Sequence, residues 1–327
     1  MTSVQPGGFI AVDIGGTSIK GIAVDDGGRV LRRLDLDTPV GGAAVLERLG
    51  DLIETLEVTL EADGLMLARL GVACPGLVDG RSGVVRFASN LDWRDLELQR
   101  WLTARFGVPA VVENDARAGV VAEHAWAGAD GADDLAFVPV GTGVAAAYYL
   151  DGALARGATD AAGEFGHLRA VADGELCTCG NRGCVEVYTS AANILTRYRR
   201  GGGQAESTPE IVRTLDDDPL ARRVWGEAVD ALALGLASLV TLLDPSRIVI
   251  GGGLSRAGDA LLTPLRRRFG AELPWREHPP IDRSGLASHS TLVGAALLGW
   301  GLGADDSRSA VRRLGTQLEL QERVTRS

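Results

Sequence analysis

The stretch FIAVDIGGTSIKGIAV, residues 9–24, is an apolar run ending in an aspartate, then two glycines and a threonine, then a second apolar run. Runs of this composition around a glycine turn read as strand, tight turn, strand. Working outward, Asp25-Asp26-Gly27-Gly28 is a second turn, and RVLRRLDLD a third strand with alternating apolar positions. An antiparallel meander therefore opens the fold. The turn at Gly15, Gly16 and Thr17 leaves backbone N–H groups unshielded beside a hydroxyl, and such a nest binds phosphate oxygens. Asp13, at the strand end, is placed to hold Mg2+ through water. Taken alone, the turn reads more readily as an ordinary hairpin. It is not a Walker A loop, since the G-x4-G-K-[ST] spacing is missing. Nor is it a dinucleotide fingerprint, because a strand rather than a helix follows.

The pattern recurs. LAFVPV at 135–140 runs into Gly141-Thr142-Gly143, then the strand VAAAYYL and an Asp151-Gly152 turn. Two copies of one hairpin suggest duplicated half-domains, and two such hairpins facing one cleft would clamp a polyphosphate. A third glycine set, Gly251-Gly252-Gly253, follows the strand RIVI and precedes a helix. It allows a flat ligand to lie against the backbone, or is simply a strand-to-helix turn.

Between these, 43–62 has helical apolar spacing, and LGVACPG is a strand ending at Pro75-Gly76, where a ligand can approach the backbone. Residues 77–94 read as loop-rich and hold Asn90, and 95–106 read as helix. Val111 and Val112 lie in a buried strand that delivers Glu113, Asn114 and Asp115 at its C-terminal end, where a helix begins. Ligands in α/β sheets sit outside the carboxyl ends of strands. Asn114 or Asp115 equally suits a helix cap, and the two roles are compatible. Helices are expected over 187–200, from Pro219 to about Leu243, and over 291–302. The charged last twenty residues form a surface helix or a frayed tail.

The segment GEFGHLRAVADGELCTCGNRGCVE, residues 163–186, holds His167, Cys177, Cys179 and Cys184 in the spacing H-x9-C-x-C-x4-C. One imidazole and three thiolates make the closed tetrahedral ligand set of structural Zn2+. Gly180 and Gly183 let the loop turn tightly enough for Cys179 and Cys184 to meet one ion. A disulfide is the competing reading, disfavoured in a reducing compartment. Glu164 and Glu186 bracket the ligands; an ionised carboxylate suits a substrate hydroxyl, since it only accepts hydrogen bonds, or both glutamates are merely solvated.

At 327 residues, one or two domains are expected, and 46% hydrophobic residues allow a sizeable core. A net charge of −10 and a pI near 5.0 argue against a nucleic-acid surface. No 18-residue apolar run is read, so no membrane span is expected. MTSVQPGG lacks the regions of a signal peptide, so the expected location is cytoplasmic. Cys74 sits in an apolar run and reads as core.

DIGGT at 13–17, END at 113–115, GTG at 141–143, GEFGH at 163–167, CTCGNRGCVE at 177–186 and GGG at 251–253 occur in this order. Together they resemble the ROK family of sugar kinases and sugar-responsive repressors, over residues 9–300, and most of all its bacterial glucokinase branch. The E-x2-H plus C-x-C-G-x2-G-C-x-E combination is highly specific. The resemblance implies an α/β protein with the actin-like ATPase (ribonuclease H-like) fold, two domains and an interdomain cleft. The domains expected are 1–116 plus about 293–327, and 117–292 carrying the zinc loop. It implies ATP and Mg2+ as cofactors, a hexose substrate, and a homodimer or dimer of dimers; no nucleic acid and no membrane are expected from the charge and hydropathy above.

The resemblance further makes Asp115 the catalytic base, and Asn114, Glu164, His167 and Glu186 sugar ligands, with Gly76 and Asn90 lining the sugar site. His167 would then place one ring nitrogen on zinc and the other toward the sugar. Asp13, Gly15, Gly16, Thr17, Gly141, Thr142, Gly143 and Gly251 to Gly253 would serve the nucleotide. The expected reaction is phosphorylation of glucose, with N-acetylmannosamine, N-acetylglucosamine or fructose behind it, and a sugar-binding regulator as the non-enzyme alternative. One departure stands out: the family's GTG usually continues in glycines, whereas Val144 to Ala147 follow here and add Cβ atoms beside the hairpin. The helix-turn-helix of the repressors is not expected, since eight residues precede Phe9.

Overall fold

The computed structural model describes residues 7–128, 133–301 and 304–326. Most of the stretch read for a signal peptide, residues 1–6, lies outside them. Two compact units emerge: Met1–Gly128 with Arg156–Ala161 and His289–Ser327, and Ala129–Ala155 with Ala162–Ser288. The division falls at 128 and 289, and no sequence signal marked the short excursion Arg156–Ala161.

In the first unit, β1 (Gly7–Ile14), β2 (Ser18–Val24) and β3 (Val30–Asp37) form the antiparallel meander. After α1 (Gly42–Ala62), β4 (Met66–Cys74) pairs parallel with β1. Leu49, Leu52, Ile53, Leu56 and Leu60 of α1 recur at helical spacing, so one face of the helix joins Ile10, Val12 and Leu70 in the core. The expected loop at 77–94 is instead a small sheet: β5 (Leu77–Asp79), β6 (Val84–Ala88) and β7 (Trp93–Leu96). Its strands are too short to show periodicity, but Val78, Val85, Ala88 and Trp93 are buried. The next helix, α2 (Leu98–Phe106), therefore starts later than the expected 95. β8 (Ala110–Asn114) pairs parallel with β4 and leads directly into α3 (Asp115–Ala127). The sheet order is β3-β2-β1-β4-β8.

The second unit repeats this plan. β9 (Leu135–Pro139), β10 (Ala147–Leu150) and β11 (Ala153–Ala155) form a second meander. The strand expected from Val144 begins only at Ala147; Val144 makes a single bridge to Val140. The loop through Cys177, Cys179 and Cys184 leads into α4 (Val185–Thr189) and α5 (Ala191–Arg200). These split the single expected helix because Ser190 caps the second, accepting the Asn193 N–H. Then come α6 (Thr208–Arg213), α7 (Pro219–Leu243), β12 (Arg247–Gly251), α8 (Asp259–Glu272) and β13 (Ile281–Arg283). The order β11-β10-β9-β12-β13 matches the first sheet strand for strand, as the repeated hairpin suggested. By length and composition alone α7 is long and apolar enough to cross a membrane. Its apolar residues Val224, Val229, Leu232, Leu236 and Val240 instead pack into the core of the second unit.

The chain returns to the first unit with α9 (Ser290–Trp300) and α10 (Ala304–Arg326). The last expected residue of α9, 302, lies outside the described residues, as does 327 of the tail. α9 packs backbone to backbone: a Cβ on Gly294 would lie 1.7 Å from the Ala118 carbonyl oxygen of α3.

Candidate active site and metal centre

In the first unit the candidate residues gather at the C-terminal ends of parallel strands. β8 delivers Asn114, which caps α3: its Oδ1 accepts the Arg117 N–H at 3.1 Å. Asn114 Nδ2 donates to the Gly76 carbonyl and to Asp115 Oδ1, each at 3.0 Å. Asp115 Oδ1 also accepts the Ala116 N–H at 2.8 Å. The cap thus falls to Asn114, and Asp115 occupies the first helical position. Gly76 has φ +96, and a Cβ there would lie 2.2 Å from the Phe87 carbonyl oxygen, so only glycine places that carbonyl under Asn114. Gly16 and Thr17 are exposed at the β1–β2 turn, where the Gly15 N–H donates to the Ser18 carbonyl at 2.8 Å. Exposed Asn90 stands beside this turn, its Cβ 3.6 Å from the position a Gly16 Cβ would take.

Asp13 faces Lys20 across the β1–β2 ladder. Burial pushes its carboxyl from 3.8 up to about 6, with Lys20 opposing. A raised folded-state value means the carboxyl favours the fold below the unfolded value and loses that contribution as pH rises through about 6. At about 1.4 kcal/mol per pH unit, the penalty above pH 7 is on the order of 3 kcal/mol. Asp13→Asn, neutral at every pH, is expected to be more stable than wild type at pH 7.5 in Mg2+-free urea unfolding. The gap should close toward pH 4. An equal gap at both pH values would show that burial of the charge is not what Asp13 costs the fold.

In the second unit two glycine sets meet. The Gly141 N–H donates to the Gly143 carbonyl at 2.9 Å, and the position of a Gly141 Cβ is 3.8 Å from the Gly253 nitrogen. Gly251 and Gly252 serve packing: added Cβ atoms would strike the Phe137 ring at 2.4 Å and the Val140 carbonyl oxygen at 2.4 Å. Among the described residues nothing lies within 4 Å of a Cβ built on Gly253, so the open glycine of the three is the last. Glu186 reaches this turn, its Oε2 accepting the Val144 N–H at 2.9 Å. The expectation for Glu186 did not include this bond to the hairpin.

His167, Cys177, Cys179 and Cys184 converge, with ligand atoms all within 4.8 Å of one another. Cys179 Sγ and Cys184 Sγ are 3.7 Å apart, and Cys177 Sγ is 3.8 Å from His167 Nδ1. Two sulfurs each about 2.3 Å from a tetrahedral zinc stand about 3.8 Å apart, so the spacing fits. All the cysteines are free thiols. Burial, then the neighbouring thiols, push the Cys184 thiol up to about 12, whereas the Asn181 backbone N–H lowers Cys179. Thiols held this close cannot all ionise without a cation among them. Gly180 and Gly183 have φ +91 and +76, as the tight turn requires. The other ring nitrogen, His167 Nε2, lies 3.9 Å from Glu164 Oε2. One ring nitrogen of His167 thus lies beside the thiols and the other near an exposed carboxylate.

Sequence reasoning singled out Asn114 and Asp115 but passed over Glu113 beside them. Glu113 is 1% exposed and pairs with Arg117 Nε at 2.7 Å and Arg156 Nη2 at 2.6 Å. An acid in an apolar strand with an arginine four residues on was the available signal; Arg156 had none.

Two meander-plus-parallel sheets of identical order, each with a glycine turn after its first strand, define the actin-like ATPase fold. The ROK family model matches residues 9–300. A glucokinase of Streptomyces coelicolor is 35% identical over 311 residues, covering 88% of this chain and 96% of that protein. A putative xylose repressor of a Caldicellulosiruptor species is 29% identical, covering 89% of this chain and 77% of its own. The crystal structure of a ROK family glucokinase from Streptomyces griseus, in complex with glucose and AMPPNP, superposes with a TM-score of 0.78. It is 32% identical, covering 90% of this chain and all of that one. The chain belongs to the ROK family.

Proposed function

We infer that this protein is an ATP-dependent hexose kinase that converts glucose to glucose 6-phosphate, with Asp115 as general base. The observation that carries the reading is Asp115 itself: a carboxylate at the C-terminal end of a parallel strand, relieved of capping by Asn114. A sugar hydroxyl is a weak nucleophile at neutral pH. As its oxygen bonds to the γ-phosphorus of ATP, its proton passes to Asp115, and the bond to the ADP oxygen breaks with its electron pair. Asn114, Glu164, His167 and Glu186 bind the sugar hydroxyls, with Gly76 and Asn90 beside them. Backbone N–H groups of Gly15 to Thr17 and Gly141 to Gly143 hold phosphate oxygens, and Gly253 leaves room for the nucleotide. Mg2+, held through water by Asp13, would neutralise phosphate charge. Zn2+ on His167, Cys177, Cys179 and Cys184 would be structural, fixing the loop that presents Glu164 and His167. A homodimer is the assembly we propose, to be read by light scattering.

A coupled assay with glucose, fructose, N-acetylmannosamine and N-acetylglucosamine tests the substrate. Glucose is expected to lead in kcat/KM by about 10-fold or more, since a site built for a hydroxyl rejects analogues that leave its polar groups unpaired. An acylated hexosamine in first place would reassign the substrate. Sugar binding without any phosphorylation would favour a regulator.

A further inference from the structure

We propose that Glu113, clamped between Arg117 and Arg156, is a positioning residue for phosphoryl transfer, and that Arg156 ties the excursion Arg156–Ala161 to the orientation of Asp115. The proposal rests on the reading of Asp115 as the base. Glu113 Oε1 accepts the Asn114 backbone N–H at 2.8 Å and Arg117 Nε–H at 2.7 Å. Its Oε2 accepts from Arg156 Nη2 at 2.6 Å. The Glu113 and Arg117 side chains are each 2% exposed. Arg117 has two further bonds, donating from Nη1 to the Asp160 carbonyl at 2.8 Å and from Nη2 to the Val78 carbonyl. Gly80 closes over the cluster: a Cβ there would lie 2.5 Å from Glu113 Oε2 and 2.8 Å from Arg156 Nε.

A buried carboxylate persists only when paired, and stability alone is often served as well by apolar side chains of similar volume. The placement here points to a second role. Glu113 holds the Asn114 peptide, the Asn114 amide holds Asp115 Oδ1, and Asn114 Oδ1 holds the start of α3. The direction of the Asp115 carboxylate is therefore set through Asn114 from Glu113. Arg156 and Asp160 come from a short excursion whose flanking chain, Ala129–Ala155 and Ala162–Ser288, belongs to the second unit. Any movement of that strap reaches the base through Glu113. Misplacing a reacting group by 1 Å costs about 10²-fold in rate.

Arg156→Met and Arg156→Lys in the full chain test this, with rates taken where circular dichroism shows each variant folded. Arg156→Met is expected to lower kcat by about 10- to 100-fold, with hexose Kd and the KM for ATP within about threefold of wild type. Arg156→Lys should recover part of the loss, since it keeps the charge but not the planar fork. Were Arg156→Met unable to fold, Arg156→Lys and Glu113→Gln would be read for the same split between kcat and affinity. Wild-type kcat in the folded variants, beside an inactive Asp115→Asn, would overturn the proposal and leave the base assignment standing. So would a fall in kcat matched by equal losses of both affinities. An active Asp115→Asn would instead remove the base assignment, whatever Arg156 does.

Discussion

Asp115→Asn is expected to lower turnover by roughly 10²- to 10⁴-fold, the usual worth of a general base, while hexose affinity survives. The substitution keeps shape, and an Asn Oδ1 still accepts the Ala116 N–H that Asp115 Oδ1 accepts now. Asn114 holds the cap of α3 in either case, so the helix gives no reason for turnover to fall. The proposed sugar ligands Asn114, Glu164, His167 and Glu186 are untouched. What the amide lacks is the capacity to take a proton from the hydroxyl that attacks phosphorus. Turnover under substrate saturation, with hexose affinity measured separately by calorimetry, separates the two effects. Near-normal turnover would reduce Asp115 to a structural residue of the α3 N-terminus.

The second large effect concerns the metal loop. Elemental analysis of purified protein should find about one zinc per chain, since four protein ligands close one tetrahedral site. Cys184→Ser should abolish it. Zinc binding contributes on the order of 10 kcal/mol in isolated zinc-finger peptides. A loop already folded against its unit loses less, so a drop of several kcal/mol in urea unfolding is expected. Activity should fall with the metal, because the loop is laced to the glycine turn. Gly166 lies so close that a Cβ would sit 2.2 Å from the Val144 carbonyl oxygen, Gly163 lies as near to Ala146, and Glu186 binds the Val144 N–H. Loss of order between 163 and 186 would therefore disturb Glu164, His167 and the turn at Gly141 to Val144 together. A zinc-free preparation with full stability and full turnover would refute this assignment.

Much of the architecture is a local matter of sequence. The two hairpins, α1, α7 and the buried strands announce themselves because each carries its own period or turn residues, and those signals need no partner. The clustering of His167 with the cysteines was legible for the same reason: the cysteines lie within eight residues, and the structure gathers all four side chains. The small sheet at 77–96 was missed because strands of three to five residues show no alternation until they pair.

The candidate site divides along the same line. Residue types determined that Asn114 and Asp115 stand at a strand-to-helix junction; they did not determine which of the two is the cap. That depended on the backbone geometry of β8 and α3, which puts Asn114 Oδ1 on the Arg117 N–H. Nor did any local pattern connect Glu113 with Arg156, 43 residues on, or Glu186 with Val144, 42 residues back. Such contacts depend on two chain segments being brought side by side by sheets and loops between them. A period or a turn is a property of a few neighbouring residues, whereas a buried ion pair is a property of the packing, and only the tertiary structure decides it.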